Sequence, residues 1–209
     1  MLIRFERRWR KHFNVEPVDA ETTRKAVIYM RWFDHEVVRT IWTNQAEIAP
    51  GVLRSNQPTV ERLERLAQSG ITNVLSLRGV GQGAPYFTEK MACDRLGMSF
   101  DAIALNARRA PTQDELLSLI EIFRRIERPF LMHCKSGADR AGLASAIYLM
   151  VIEGQPVQQA RRMLCMSYFH FKWSATGVLD RVLDAFETTG EGLAFERWVA
   201  TRYDPAAIV

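Results

Sequence analysis

Cys134 and Arg140 are spaced as a nucleophile and an anion-binding cation would be. The apolar run Phe130-Leu131-Met132 ends in His133-Cys134, five residues follow, then come Arg140 and a long apolar segment. That order describes a buried strand feeding a tight loop that opens into a helix. Such a loop gathers backbone N–H groups and the positive end of a helix dipole around one point, where an anion would sit. Cys134 would face that point, and the same field favours the thiolate, the nucleophilic form of cysteine. Arg140 can return to the bound anion as a two-pronged donor matched to phosphate oxygens. Lys135, Ser136, Gly137, Ala138, Asp139 and Arg140 form the candidate phosphate-binding loop. Gly137 and Gly142 suit a chain that bends sharply and starts a helix close to the anion. The chemistry is cysteine-based phosphoryl transfer, which calls for no metal and no cofactor.

His133-Cys134-x5-Arg140 resembles the signature of the protein tyrosine and dual-specificity phosphatase superfamily. Val52-Leu53-Arg54-Ser55-Asn56-Gln57-Pro58 and Gly70-Ile71-Thr72-Asn73-Val74-Leu75-Ser76-Leu77-Arg78 resemble the opening strands of its small, atypical bacterial and fungal members. The likeness spans residues 46–188, most of the chain. It implies a metal-independent phosphomonoesterase working through a phosphocysteine, with phosphotyrosine or mixed phosphoprotein as the first substrate class. His133 then has a supporting role, bonding to backbone near the loop.

Two departures stand out. Ala141 replaces the Ser or Thr that most members carry after the arginine, whose hydroxyl helps sulfur leave when the intermediate is hydrolysed. Slow turnover follows as an expectation. The loop Asn106-Ala107-Arg108-Arg109-Ala110-Pro111, where the superfamily usually places its general-acid Asp, holds no carboxylate. Asp139 is the first candidate for that proton, because an Asp-Arg pair here resembles the myotubularin and Sac-type inositide phosphatases. Asp101, or no dedicated acid, remain open. Lys135 directly after the cysteine resembles the loops of inositol-lipid phosphatases, so a phosphoinositide or inositol phosphate is the alternative substrate; a solvent-facing charge fits as well. Arg108 and Arg109 read as a solvated pair, and His170, among aromatics, as a packed residue. A rhodanese-like sulfurtransferase also uses a strand-to-helix Cys, but on a shorter loop. A phosphate-binding module without catalysis would fit Ala141 and the empty acid loop, though not an intact Cys134 and Arg140.

Composition bounds these readings. With 209 residues, 47% hydrophobic and 25% charged, the chain can bury a full core. The net charge of +4 is carried by residues 1–13, which hold five basic residues against one acid. The remainder is neutral, so nothing points to nucleic acid. Leu2, Phe5, Trp9 and Phe13 form a helical apolar stripe among those cations. Packing on the core is the expectation, with weak contact to an anionic membrane surface as the alternative. Cys93, Cys134 and Cys165 have no pairing or metal-ligand spacing, which suits a reducing, cytoplasmic setting. No apolar run is long enough to span a bilayer.

The elements that must position the loop follow from periodicity and punctuation. Residues 1–45 read as a helical extension, with a second helix over 26–43, and residues 46–209 as the phosphatase domain. Strands are expected at 52–55, 71–77, 99–105 and 130–132. Helices are expected from Thr59 to Gly70, over 89–96, from the Thr112-x-x-Glu115 capping box to Arg125, and from the loop to Ile152. Further helices are expected over 155–167, 177–187 and 191–203. The alternation predicts an α/β fold, a mostly parallel central sheet flanked by helices on both faces.

Overall fold

A computed structural model describes residues 2–81 and 83–208, with side chains described from Arg8 onward; the side chains of Leu2 and Phe5 lie outside them. Five strands form one sheet: β1 (Ala46–Ala49), β2 (Val52–Asn56), β3 (Asn73–Ser76), β4 (Ser99–Ala102) and β5 (Phe130–Cys134). Their spatial order is β1-β2-β5-β3-β4. β1 is antiparallel to β2 and every other pairing is parallel. The mixed α/β architecture with a mostly parallel sheet is as expected, while the short edge strand β1 is not foreshadowed by the sequence pattern.

Ten α-helices accompany the strands among the described residues. They are α1 (Leu2–Phe13), α2 (Ala20–Ile28), α3 (Glu36–Ile41), α4 (Val60–Gln68), α5 (Ala84–Leu96), α6 (Gln113–Arg125), α7 (Asp139–Val151), α8 (Val157–Ala160), α9 (Val178–Thr189) and α10 (Phe195–Thr201). None is long and apolar enough to cross a membrane.

The side-chain alternation of the strands divides the core in two. Val74 and Leu131 pack with Leu63 and Leu66 of α4 and with Ala92 and Cys93 of α5. Leu75, Phe130 and Met132 face the other way, toward α6, α7, α9 and α10. On that side α7 is buried continuously from Ala141 to Leu149, so it behaves as a core helix rather than an amphipathic one. Tyr148 of α7 meets Phe123 and Phe130 edge to face at 5.1 and 5.5 Å.

Local chemistry sets several ends. Thr112 and Glu115 close the reciprocal capping box that starts α6, and Thr59 accepts from the Arg62 amide at the start of α4. α5 begins five residues before the expected Glu89, with Pro85 in its first turn. The expected helix over 26–43 is interrupted instead. α2 runs into one turn of π-helix (Tyr29–Phe33), Asp34 breaks off, and His35 at φ +61° starts α3. The expected helix over 155–167 is α8 followed by two separate 3-10 turns.

Candidate active site

Because β5 lies between β2 and β3, its C-terminal end is central in the sheet, and the loop leaving it is walled on both sides. The parallel register sets Ser55 beside His133 and Asn56 beside Cys134. Gly137 then passes so near β2 that a Cβ there would lie 2.5 Å from the Asn56 nitrogen, and its φ is +74°. Only glycine fits this crossing. Gly142 is required for a different contact, since a Cβ there would lie 2.7 Å from the Met163 carbonyl oxygen.

Every carbonyl of residues 135–138 is held by a donor outside the loop. The Gln57 amide reaches Lys135 O at 3.4 Å, and Asn44 Nδ2 reaches Ser136 O at 3.2 Å. Arg54 Nη2 donates to Gly137 O at 2.5 Å and to Ala138 O at 3.2 Å. Across a trans peptide the N–H points opposite to the C=O, so the amides of residues 136–139 turn to the other side. On that side the Gly137 amide donates to Cys134 Sγ at 3.3 Å and the Ala138 amide to Ser136 Oγ at 3.4 Å. A cradle of amides at the start of α7, with a sulfur at its base, suits an oxyanion.

Arg54 is a residue whose task the strand pattern alone does not reveal. It is fully buried in β2, donates from Nη1 to Met163 O at 2.7 Å and stacks on the Tyr168 ring at 3.9 Å. Burial pushes its guanidinium down from the usual value. A cation within the run Val-Leu-Arg-Ser-Asn is the signal, because a buried charge must be spent on specific acceptors. Arg62 has a similar task in α4, donating to Ser55 Oγ at 2.9 Å and Asn56 Oδ1 at 2.7 Å.

Arg140 is half-buried over the loop, with Nη1 3.4 Å from Leu77 O and 3.5 Å from Leu105 O. These long contacts leave its planar fork available to an anion. His133 is buried, with Nδ1 3.3 Å from Cys134 O and Nε2 2.8 Å from Glu89 Oε1. Glu89 also accepts from Gln57 Nε2 at 3.0 Å, so an interior polar chain runs beneath the cysteine.

The acid candidates are separated. Asp101 pairs with Arg125 at the last turn of α6, and the loop over 106–111 presents no carboxylate. Arg109 of that loop is bonded to Glu115. Asp139 Oδ1 lies 2.8 Å from His170 Nδ1, and His170 Nε2 lies 2.6 Å from Asp180 Oδ2. Carboxylates accept, so both ring nitrogens must carry protons and His170 is an imidazolium. Burial opposes its charge, but the two acids outweigh this and push its pKa up to about 9. Burial likewise raises the Asp139 carboxyl, yet hydrogen bonds from His170 and Thr176 leave it below the usual carboxylate range. Lys135 does not project freely into solvent; its Nζ is 3.3 Å from Asp34 Oδ1. Cys93 is core, and burial pushes its thiol up. Cys165 is half-buried beside Ser167.

Comparison with known proteins places this site in a wider setting. Residues 43–176 match the family model described as the Swiss Army Knife protein, DSP-PTPase phosphatase domain. No curated protein sequence matches the chain. Among solved structures, TpbA of P. aeruginosa superposes with a TM-score of 0.59 and 20% identity, over 76% of this chain and 92% of that one. One structure of TpbA is a complex with pTyr. Tk-PTP in its active form gives 0.54 and 20% identity over 68% of this chain and 97% of that one. PTPMT1 gives 0.52 and 15% identity over 70% and 98%. At these identities the likeness is one of fold.

Proposed function

Because the chain belongs to the DSP-PTPase phosphatase domain family, we propose that it hydrolyses phosphomonoesters through a phosphocysteine on Cys134, with phosphotyrosine as the preferred substrate. The observation that carries this reading is the set of four outward-held carbonyls, with the Gly137 amide donating to Cys134 Sγ on the opposite side. The phosphoryl oxygens bind those amides and the Arg140 fork. A sulfur electron pair forms the S–P bond as the P–O bond breaks, and the leaving oxygen keeps the bonding pair. Charge on the equatorial oxygens grows toward the transition state, where fixed donors stabilise it most. Water then attacks phosphorus, the S–P bond breaks, and inorganic phosphate and the thiolate are released.

Phosphotyrosine follows from the missing proton donor. A phenol has a pKa of about 10 and departs as phenoxide far more readily than a serine alkoxide. With the carboxyl of Asp139 committed to His170, and Asp101 to Arg125, neither acid is poised to protonate a poor leaving group. The pTyr complex of TpbA agrees with this preference. The phosphoinositide alternative needs Lys135 as a second cation for substrate, and that ammonium is engaged by Asp34.

The test is aryl phosphate hydrolysis by the native chain and by Cys134→Ser. Substitution should abolish release, and alkyl phosphates should turn over at least about 10²-fold more slowly than aryl ones. Undiminished release from Cys134→Ser would sink the assignment. Equal rates on alkyl and aryl esters, lost in Asp139→Asn, would instead make Asp139 the acid.

A further inference from the structure

Asp34 lies outside residues 43–176, yet its side chain reaches the phosphate-binding loop. The π-helical turn before it and the left-handed His35 after it drive the carboxylate inward, leaving it 2% exposed. Three cations share its two oxygens. Arg78 grips both, with Nη2 2.9 Å from Oδ1 and Nη1 2.8 Å from Oδ2. Arg39 Nη1 adds a bond to Oδ2, and Lys135 Nζ approaches Oδ1 at 3.3 Å. Lys135 immediately follows the nucleophile, and Arg78 immediately follows Leu77, whose carbonyl steadies Arg140. The cluster is therefore a second cationic position beside the cradle, already holding an anion that belongs to the protein.

We infer that Asp34 is a specificity-determining residue: it fills, from within the chain, the place on Lys135 and Arg78 that a second acidic group of a substrate would take. A second, vicinal phosphoryl group then gains nothing from Lys135 and Arg78, so the site gives no preference to polyphosphorylated compounds over those with a single phosphoryl group. This deepens the phosphatase reading and rests on it for the identity of the ligand.

Two arguments support it. A second phosphate could gain Lys135 and Arg78 only by displacing a buried carboxylate, which would then be left desolvated and short of partners. The Lys135 environment agrees: burial and the nearby Arg78 and Arg39 charges push its ammonium down, and the Asp34 carboxylate opposes them. A single phosphate needs none of this, because the loop amides and Arg140 already surround it.

Calorimetric binding to the full-length chain tests the inference without requiring turnover. The probes are an inositol monophosphate and the matching vicinal bisphosphate. The native chain should bind the two within about threefold of each other, and Asp34→Asn should tighten the bisphosphate alone by about tenfold, the worth of one freed charge-assisted contact. Lys135→Met in the native background should change both affinities by the same factor. That second variant decides the matter if Asp34→Asn fails to fold. A native preference of about tenfold or more for the bisphosphate, abolished by Lys135→Met, overturns the inference. So does an unchanged affinity ratio in folded Asp34→Asn. Neither result touches the assignment of Cys134, which stands or falls on phosphate release.

Discussion

Around Cys134 and Arg140 the shape of the loop depends on the donors that turn the backbone. Arg54 holds two loop carbonyls, and Gly137 leaves room for the crossing over β2. Ala141 is the residue where the expected machinery is thinnest. It is fully buried in the first turn of α7, with no hydroxyl to aid departure of the thiolate. Hydrolysis of the phosphocysteine should then be slower than its formation, and aryl phosphate kinetics should begin with a burst. Ala141→Ser should raise kcat by up to roughly tenfold, less than the ~10²–10⁴ of a full general acid, and shrink the burst. Stopped-flow release of the phenol measures both. A native chain without a burst, or a variant with unchanged kcat, would show that the missing hydroxyl does not limit turnover.

Among the elements, the start of α7 is fixed to α9 through one buried imidazolium, His170 between Asp139 and Asp180. Removing the ring leaves two carboxylates facing a site that is 1% exposed at His170, so His170→Gln should cost about 3 kcal/mol. The cost should vary with pH. The His170 pKa is raised from 6.5 to about 9, so its stabilisation is complete below pH 6.5 and fades as pH rises through about 9. Asp139 is shifted down from 3.8, so its share is present above that value and is lost on further acidification. The Tm difference between native and variant should therefore be widest between pH 3.8 and pH 6.5; a difference independent of pH would mean that the ring is not charged. None of this clamp was legible in the sequence beyond a histidine among aromatics, because its partners lie 31 and 10 residues away. The strand–loop–helix around Cys134 was legible, since an apolar run, glycines and a following apolar helix are all local signals. The helix expected over 155–167 breaks where Met163 O must meet Arg54, and the one over 26–43 breaks where Asp34 must turn in to Arg78. Both breaks serve distant partners. Asp34 itself had one faint signal, an acid directly after Trp32 and Phe33.

For the molecule as a whole, the matched domain ends at residue 176, but the sheet face around α7 is completed by the helices beyond it. Leu179, Val182 and Leu183 of α9 are buried there, and Trp198 of α10 packs against Phe186, Phe195 and Tyr203 with ring centroids 5.1–5.7 Å away. Tyr203 also donates its hydroxyl to Pro111 O at 2.7 Å, tying the C-terminal residues to the loop over 106–111. That loop adjoins Leu105, whose carbonyl contacts Arg140, so the C-terminal elements support one rim of the site as well as the core. Trp198→Ala should cost about 3–5 kcal/mol through lost burial and a cavity. Tyr203→Phe keeps the ring and strands one buried carbonyl, which should cost about 1–3 kcal/mol. Urea unfolding of the two variants checks the order: the midpoint should fall more for Trp198→Ala than for Tyr203→Phe. Midpoints equal to the native one would mean that residues 177–208 cover the core without holding it.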